Sequence, residues 1–358
     1  MNTAIDWFSS GIALLFLSLT LLNVVTVRRP RGLAPLAHAS LLLPVRNEAS
    51  NIDGVIPDLV SQSQLAQCEV IVLDDHSTDD TAAKLSQYSV RTLDGKDLPS
   101  GWLGKNFACH QLSEVATAEF LVFIDADVRL THTAVSSAIA EMTRLKWDFA
   151  SPYPKQQAKS VLEILIQPLL QWSWFATVPL RIAEKFRIPS MAVANGQFLI
   201  IRKSAYSAIG GHETIKSDVI DDIAIARELI HAGFRGGVMD GSKIANCRMY
   251  ENGRDLIEGY RKSLWRAFGS PIGSLVAIFI LSSAALAPWW FALHGSMLGW
   301  IGALSGVFSR FIVALKTRSR WESALLHPIS ILLLIVLILW SWIGKARGTL
   351  TWRDRTIE

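Results

Sequence analysis

The sequence predicts an α/β domain with a mostly parallel sheet, tied to a bilayer by apolar helices at both ends. Short, unalternating apolar runs alternate with helical stretches from Ser40 to about Phe234, as strands buried on both faces should. Ile5 to Val27 is long enough to cross ~30 Å of hydrocarbon at ~1.5 Å per helical residue, and three more apolar stretches close the chain. Half of the 358 residues are hydrophobic and 18% are charged, with a mean hydropathy of +0.30. That balance is too apolar for an ordinary soluble enzyme and suits a globular domain joined to membrane helices.

The first element is the anchor, residues 1–30. Arg28, Arg29 and Arg31 place its exit on the cytoplasmic side. A cleavable signal peptide would need a basic leader, and this one carries Asp6 and no basic residue. Three strand-and-loop units come next. Ser40 to Val45 runs into Pro44-Val45-Arg46-Asn47-Glu48, Glu69 to Leu73 into Asp74-Asp75, and Phe120 to Ile124 into Asp125-Ala126-Asp127. Open α/β sheets bind ligands at the carboxyl ends of their strands, so the three loops converge on one edge.

Two carboxylates one residue apart at a strand end, Asp125 and Asp127, suit Mg²⁺ or Mn²⁺, which takes oxygen ligands and completes its shell with substrate phosphates. Asp74 and Asp75 are adjacent at the end of a buried strand and would repel each other unless a partner such as a nucleobase and ribose uses them. Ser77, Thr78 and Asp79 read as turn and helix-start residues. Asp221-Asp222 opens a helical stretch to Ile230, with Ser217 or Asp218 as its cap and Gly233 as its end. In isolation such first-turn acids favour the helix dipole and nothing more.

Val161 to Phe175 is apolar but interrupted by Glu163, Gln167 and Pro168. It reads either as an interfacial helix over 160–183, with Trp172 and Trp174 at headgroup depth, or as a buried helix of the catalytic domain. The closing apolar segments are Ser274 to Leu293, Met297 to Leu315 and Ala324 to Ile343. If all four segments span, Lys345 and Arg347 lie outside, against the positive-inside rule, so one segment does not cross fully. Arg310 inside the third and His327-Pro328 opening the fourth mark those two as candidates. The domain reading is therefore 1–30 anchor, 31–268 catalytic domain, 269–344 membrane segments and 345–358 basic tail. A net charge of +4 is slight, and its basic residues flank apolar segments, which excludes a nucleic-acid patch. Cys68, Cys109 and Cys247 have no metal-ligand spacing and read as reduced packing residues.

The order Pro44-x-Arg46-Asn47-Glu48, Asp74-Asp75-x-Ser77-x-Asp79-x-Thr81, Gly104-Lys105, Asp125-x-Asp127 and Asp221-Asp222 resembles the family-2 glycosyltransferases with a GT-A fold. Gly101-Trp102-Leu103-Gly104-Lys105-Asn106-x-Ala108, Gly210-Gly211-His212-Glu213, Glu258 to Leu264 and Trp352-Arg353-x-Arg355 look like the membrane-bound branch that glycosylates carotenoid or hopanoid-type lipids. The resemblance implies a nucleoside-diphosphate sugar donor, expected to be a UDP-sugar, a lipid acceptor and a divalent metal. It places the donor on Pro44, Arg46, Asn47, Glu48, Asp74, Asp75, Lys105, Asp125, Ala126 and Asp127, with the metal on Asp127 and Asp125. It makes Asp222 the general base, with Asp221 orienting it or binding acceptor. Gly196, Gln197, His212 and Trp265 fall on the acceptor side. Processive members carry Gln-x-x-Arg-Trp; Arg261-Lys262-Ser263-Leu264-Trp265 keeps only the tryptophan, which implies an enzyme that adds one sugar, and the resemblance as a whole implies inversion. The expected setting is the cell membrane, multi-pass, with the catalytic domain in the cytoplasm. A membrane nucleotidyltransferase and a catalytically silent nucleotide-binding scaffold are the rival readings.

Overall fold

A computed structural model describes residues 3–352 and 355–356. The Trp352-Arg353-x-Arg355 run lies partly outside them. The chain divides into two compact units: Met1–Thr26, Gln156–Leu180 and Met249–Glu358 form one, and Val27–Lys155 with Arg181–Arg248 form the other.

From the N-terminus the elements are α1 (Ala4–Thr26), β1 (His38–Val45), α2 (Ala49–Val60), β2 (Gln67–Asp74), α3 (Thr81–Leu85), β3 (Arg91–Asp94) and α4 (Gly104–Val115). Next come β4 (Phe120–Ile124), β5 (Val128–Leu130), α5 (Ala134–Leu145), β6 (Phe149–Tyr153), β7 (Lys155–Gln156), α6 (Val161–Thr177), α7 (Leu180–Phe186) and β8 (Phe198–Arg202). They are followed by α8 (Lys203–Ala208), α9 (Asp221–His231), β9 (Gly236–Asp240), β10 (Ala245–Cys247) and α10 (Gly253–Ala267). The chain then runs through α11 (Pro271–Ala285), α12 (Ala287–Leu293), α13 (Met297–Thr317), a 3₁₀ turn at Trp321–Leu326, α14 (His327–Ala346) and the pair β11 (Thr351–Trp352) and β12 (Arg355–Thr356).

The second unit is a GT-A-like α/β domain with a seven-stranded sheet in the order β3-β2-β1-β4-β8-β6-β9. Pairing is parallel except at β8, which runs antiparallel to both β4 and β6. Leu41, Leu43 and Val45 of β1 enter the core on one face with Ile52, Val55 and Ile56 of α2. Leu42 points to the other face, with Leu112 of α4 and Ile225 and Leu229 of α9. Helices on both faces explain why every residue of β4 is buried and why its sequence does not alternate. The reversed β8 matters for function: Ile124 pairs with Phe198, so the residues just before β8 meet those just after β4.

The first unit is helical. Ala4–Thr26, Pro271–Leu293, Met297–Thr317 and Trp321–Ala346 are each long and apolar enough to cross a bilayer. α1 and α13 lie parallel. Ser10 Oγ donates to the Leu298 carbonyl near their starts, Thr20 and Ser309 hydroxyls are 2.7 Å apart, and Lys316 Nζ donates to the Val24 carbonyl near their ends. Asp6, Ser9, Ser10, Thr20 and Asn23 of α1 are wholly buried. Asp6 accepts from Ser10 and from Ser296, and Asn23 Nδ2 donates to the Phe175 and Val178 carbonyls. The fourth segment does not run straight. Trp321 meets the Phe311 ring, then Ala324 and Leu325 line one apolar cavity of about 490 Å³ with Leu17, Ile301 and Leu304. At His327 the chain turns beside Gly306, halfway along α13. α14 then returns, and Trp342 Nε1 donates to Ser274 Oγ at the start of α11.

α6 belongs to this helical unit, and its tryptophans are packed inside protein. Trp172 and Trp174 are 2% and 6% exposed. Trp172 Nε1 donates to Ser309 Oγ and its ring stands edge-on to His327. The polar interruptions have local tasks. Ser160 caps the helix and Glu163 reaches back to Ser160 Oγ and the Lys159 N–H, a capping box, while Gln167 donates to Gln156. α10, placed with the catalytic domain by its sequence, also packs in the helical unit, where the Trp265 N–H meets Ser341.

Candidate active site

The sheet topology brings β1, β2 and β4 to one edge, and their loops are tied together. Asn47 sits at φ +53°, a conformation Asn tolerates, and its side-chain oxygen accepts from the Thr78 N–H. In return Ser77 Oγ and Thr81 Oγ1 accept from the N–H groups of Asn47 and Glu48, and Asp79 accepts from Ala49. Ser77 to Thr81 therefore do more than start a helix: they hold the Arg46-Asn47-Glu48 loop. Asp74 Oδ1 accepts from the Ser77 N–H, and the Arg46 guanidinium donates to the Asp75 carbonyl and lies 3.7 Å from its carboxylate. That cation relieves the repulsion expected between Asp74 and Asp75.

The Asp125-Ala126-Asp127 turn is clamped by Arg129, which sequence inspection missed. Its guanidinium donates to the carbonyls of Ala126, Val128 and Asn51, close against Gly54, where a Cβ would collide with it. Opposite, the antiparallel β8 lets the Asp125 N–H donate to the Gln197 carbonyl. Asp127 Oδ1 is buried with no hydrogen-bond donor. Burial and the nearby Asp125 charge push the Asp127 carboxyl up to about 7. Among the described residues no group of three or more His, Cys, Asp or Glu is placed to hold a metal by itself. An orphaned carboxylate oxygen beside a second acid nevertheless fits a Mg²⁺ or Mn²⁺ ion whose remaining ligands are phosphate and water. Cys247, on the strand paired with β5, makes a side-chain hydrogen bond to Asp127, a role its spacing did not reveal.

Lys105, in the first turn of α4, links the Asp125-Ala126-Asp127 loop to the second acidic pair. Its Nζ is 3.0 Å from Asp125 and 3.4 Å from Asp221. Burial works against its charge, but the two carboxylates more than offset that and hold the ammonium well above its ordinary range. Burial also works against Asp221, and there the Lys105 charge outweighs it, keeping this carboxyl below its usual range. Asp222 behaves oppositely. Burial, then the neighbouring Asp221 charge, raise it to about 6. The dipole of α9 does not dominate here, contrary to the expectation from its first-turn position.

Both Asp222 oxygens accept backbone N–H groups, Oδ2 from Gly196 at 2.8 Å and Oδ1 from Ile223 at 2.7 Å. Ile220 rather than Ser217 or Asp218 caps α9, with no side-chain bond, while Gly233 ends it at φ +90° as expected. Gly196 leaves room for the Lys105 ammonium: a Cβ there would press on Lys105 Nζ at 3.1 Å and touch the Asp222 Cβ at 3.5 Å. Gln197 is next in the chain, its N–H held by Asn195 Oδ1, and Asn195 is pinned in turn by Ser151.

His212 and Trp265, expected on the acceptor side, each have packing contacts of their own. His212 is 2% exposed beneath the sheet, hydrogen-bonded to Tyr206 at 2.8 Å and packed on Phe123; burial lowers its pKa to about 4, so it is a neutral packing and hydrogen-bonding group. Trp265 lies in the helical unit, where its indole donates to the Lys262 carbonyl. The structure thus gathers Lys105, Asp125, Gly196, Asp221 and Asp222, with the buried His212 close enough to feel the charges of Asp221 and Lys105.

Residues 40–210 match the family model described as Glycosyl transferase family 2. A 4,4'-diaponeurosporenoate glycosyltransferase of Staphylococcus aureus (strain MRSA252) is 24% identical over 342 residues, covering 88% of this chain and 87% of the relative. One so named from Staphylococcus haemolyticus (strain JCSC1435) is 25% identical, covering 68% and 65%. Among solved structures, a mannosyltransferase from Pyrobaculum calidifontis in complex with GDP-Man and Mn²⁺ superposes with a TM-score of 0.59 at 18% identity, over 94% of this chain and 97% of that one.

Proposed function

For a chain that carries a family-2 glycosyltransferase domain, we propose transfer of one sugar from a nucleoside-diphosphate donor, with inversion, to a lipid acceptor of isoprenoid type. The observation that carries this is the run of short contacts in which Lys105 joins Asp125 to Asp221 while the Gly196 N–H donates to Asp222. A diphosphate leaves readily when its growing charge is neutralised, and an acceptor hydroxyl attacks readily when a base takes its proton.

Arg46, Asn47, Asp74 and Asp75 are the residues assigned to the nucleoside, with Glu48 and Ala126 at the margin of the same edge. A Mg²⁺ or Mn²⁺ ion held by Asp127, with Asp125 beside it, supplies positive charge to the diphosphate when bound. Lys105 adds a second cation, so a donor arriving there competes with Asp125 and Asp221 for it. Asp222, ionised above about pH 6, takes the hydroxyl proton. The Gly196 and Ile223 N–H groups fix both its oxygens, so it meets the acceptor in one orientation. Gly196 and Gln197 line the acceptor's approach. A nucleotidyltransferase would leave Asp222 without a task.

The lipid acceptor is favoured by the fused helical unit and by the relatives' names, which carry a long-chain acid. The same unit sets the proposed orientation. Because α13 is parallel to α1 and the fourth segment turns back at His327, every basic cluster falls at one end. Arg28, Arg29 and Arg31 come after α1, Lys316, Arg318 and Arg320 come at the end of α13, and Lys345 and Arg347 close α14. The His294-Gly295-Ser296 turn at the other end has no Lys or Arg. We read three crossings and one re-entrant segment, with the catalytic domain and the C-terminus in the cytoplasm of a bacterial-type cell membrane.

The test is transfer by the purified full chain from UDP- and GDP-sugars to a membrane lipid extract, with and without Mg²⁺ or Mn²⁺. Mass spectrometry should find a single sugar-sized increment on a lipid. Incorporation of a nucleotide instead, or no increment with any donor, would overturn the reading.

A further inference from the structure

Arg310 is the odd residue of the membrane unit. It sits on α13 two turns inside Lys316, about 9 Å deeper at ~1.5 Å per residue, and is 1% exposed. A guanidinium in that position must be paired, because leaving an ionised group in an apolar interior is costly. One contact is in place, Nη2 to the Leu165 carbonyl at 2.6 Å. Nε and Nη1 are buried and have no acceptor.

The surroundings add more unanswered polarity. One turn earlier on α13, Gly306 leaves room for the His327 ring, which lies 3.2 Å from where a Cβ would stand. That ring packs 4.7 Å from Trp172, whose indole holds Ser309, the residue next to Arg310. His327 Nδ1 and, one turn further along α14, Ser330 Oγ are likewise buried without partners. Three side chains on two helices thus converge at the turn of the re-entrant segment with hydrogen-bonding capacity to spare. Native interiors leave few such groups, and several together point to something that completes them.

We propose that Arg310 is the binding site for the carboxylate of a long-chain lipid acid, held inside the helical unit with His327 and Ser330 as neutral hydrogen-bonding partners. One guanidinium matches one negative charge, which favours a carboxylate over a doubly charged phosphate monoester. The depth favours an amphiphile over a soluble anion, since the site lies within hydrocarbon. That such an acid also carries, apart from its carboxylate, the hydroxyl that receives the sugar rests on the proposed lipid-acceptor function; the existence of the site does not.

Binding is measured directly on the full chain in phosphatidylcholine nanodiscs, using radiolabelled oleic acid with oleyl alcohol and oleyl phosphate as competitors, at a pH where the acid is ionised. The wild type should prefer oleate over the alcohol by about tenfold or more, the worth of a charge-assisted hydrogen bond. Arg310→Met should reduce the preference to about one, and Arg310→Lys should keep part of it, since charge survives without the planar fork. Replacing an incompletely paired buried charge by an apolar chain should leave Tm unchanged or raised. An unchanged preference in Arg310→Met, tighter binding of oleyl phosphate than oleate, or a Tm fall with preference intact would each overturn the proposal. Transfer to no lipid at all, with the oleate preference present, would sink the acceptor reading and leave this site standing.

Discussion

Asp222 makes a quantitative forecast about pH. Its carboxyl rises on folding from 3.8 to about 6, first through burial and then through the Asp221 charge. A carboxyl with a raised folded pKa loses its ionised form as pH falls through the raised value, so a base there should fail near pH 6 and not near 4. With one proton involved, the working fraction is about nine-tenths at pH 7 and about one-tenth at pH 5. Turnover at saturating donor and metal should fall about tenfold across that interval, approaching unit slope only below about pH 5. Asp222→Asn should lower turnover by roughly 10²- to 10⁴-fold and abolish the slope, while donor affinity stays within about threefold. The amide is not silent structurally. Both carboxylate oxygens accept N–H groups, so an NH₂ must face either Gly196 or Ile223, costing about 1–3 kcal/mol of stability. The assay is lipid glycosylation between pH 5 and 8 for both proteins, with thermal melting in parallel. A wild-type profile flat to pH 5, or a variant keeping most of its turnover, would move the base elsewhere.

Asp127→Ala should weaken donor affinity by about tenfold or more and remove metal stimulation in the same titration, because one carboxylate serves both; donor binding by calorimetry with and without Mn²⁺ checks it. Arg129→Met should lower stability by about 2–4 kcal/mol by freeing the Asp125 loop from three carbonyl contacts, and denaturant unfolding of the full chain reads this out. Gly196→Ala should depress turnover about tenfold with little change in Tm, since the added methyl displaces the mobile end of Lys105 rather than backbone. A reporter fused to the C-terminus should be active in the cytoplasm, and one inserted at Gly295 should be active outside; the reverse pair would invert the proposed orientation.

The loops of β1, β2 and β4 were legible because parallel strands buried on both faces write unbroken apolar runs, and the polar residues at the end of each run meet on one edge of the sheet. The helix at Asp221-Asp222 was legible for its period and its Gly233 stop. Its chemistry was not. The dipole argument treats a first-turn acid as exposed, and Asp222 is raised by burial that only the reversed β8 creates. Arg129 stayed invisible because a lone arginine beside an acidic loop is commonplace, and its three carbonyl partners are backbone atoms that sequence does not display. Glu163 was readable but misread: Ser160-x-x-Glu163 spells a capping box, and its weight as an interruption of an apolar run hid that. The parity problem and His327-Pro328 marked the fourth segment in the sequence, and in the structure a 3₁₀ turn over Trp321–Leu326 precedes the helix that starts at His327.

The helical unit is stitched from three separate stretches of chain, with a whole catalytic domain synthesised between them. α1 emerges from the ribosome first, carrying Asp6, Ser10, Thr20 and Asn23 on the face that is later buried. Ser296, Leu298 and Ser309, which answer three of them, come some 290 residues afterwards. At ~5–20 residues per second that is a delay of roughly 15 to 60 seconds, during which an acidic side chain sits in or beside lipid without its companions. A nascent chain of this design therefore needs shelter at the insertion machinery until α13 arrives. Ribosomes stalled before Met297 would release fragments that quality control should recognise by those bare polar atoms. Supplying residues 297–358 as a separate polypeptide should rescue such a fragment, since α1 would meet its partner in trans.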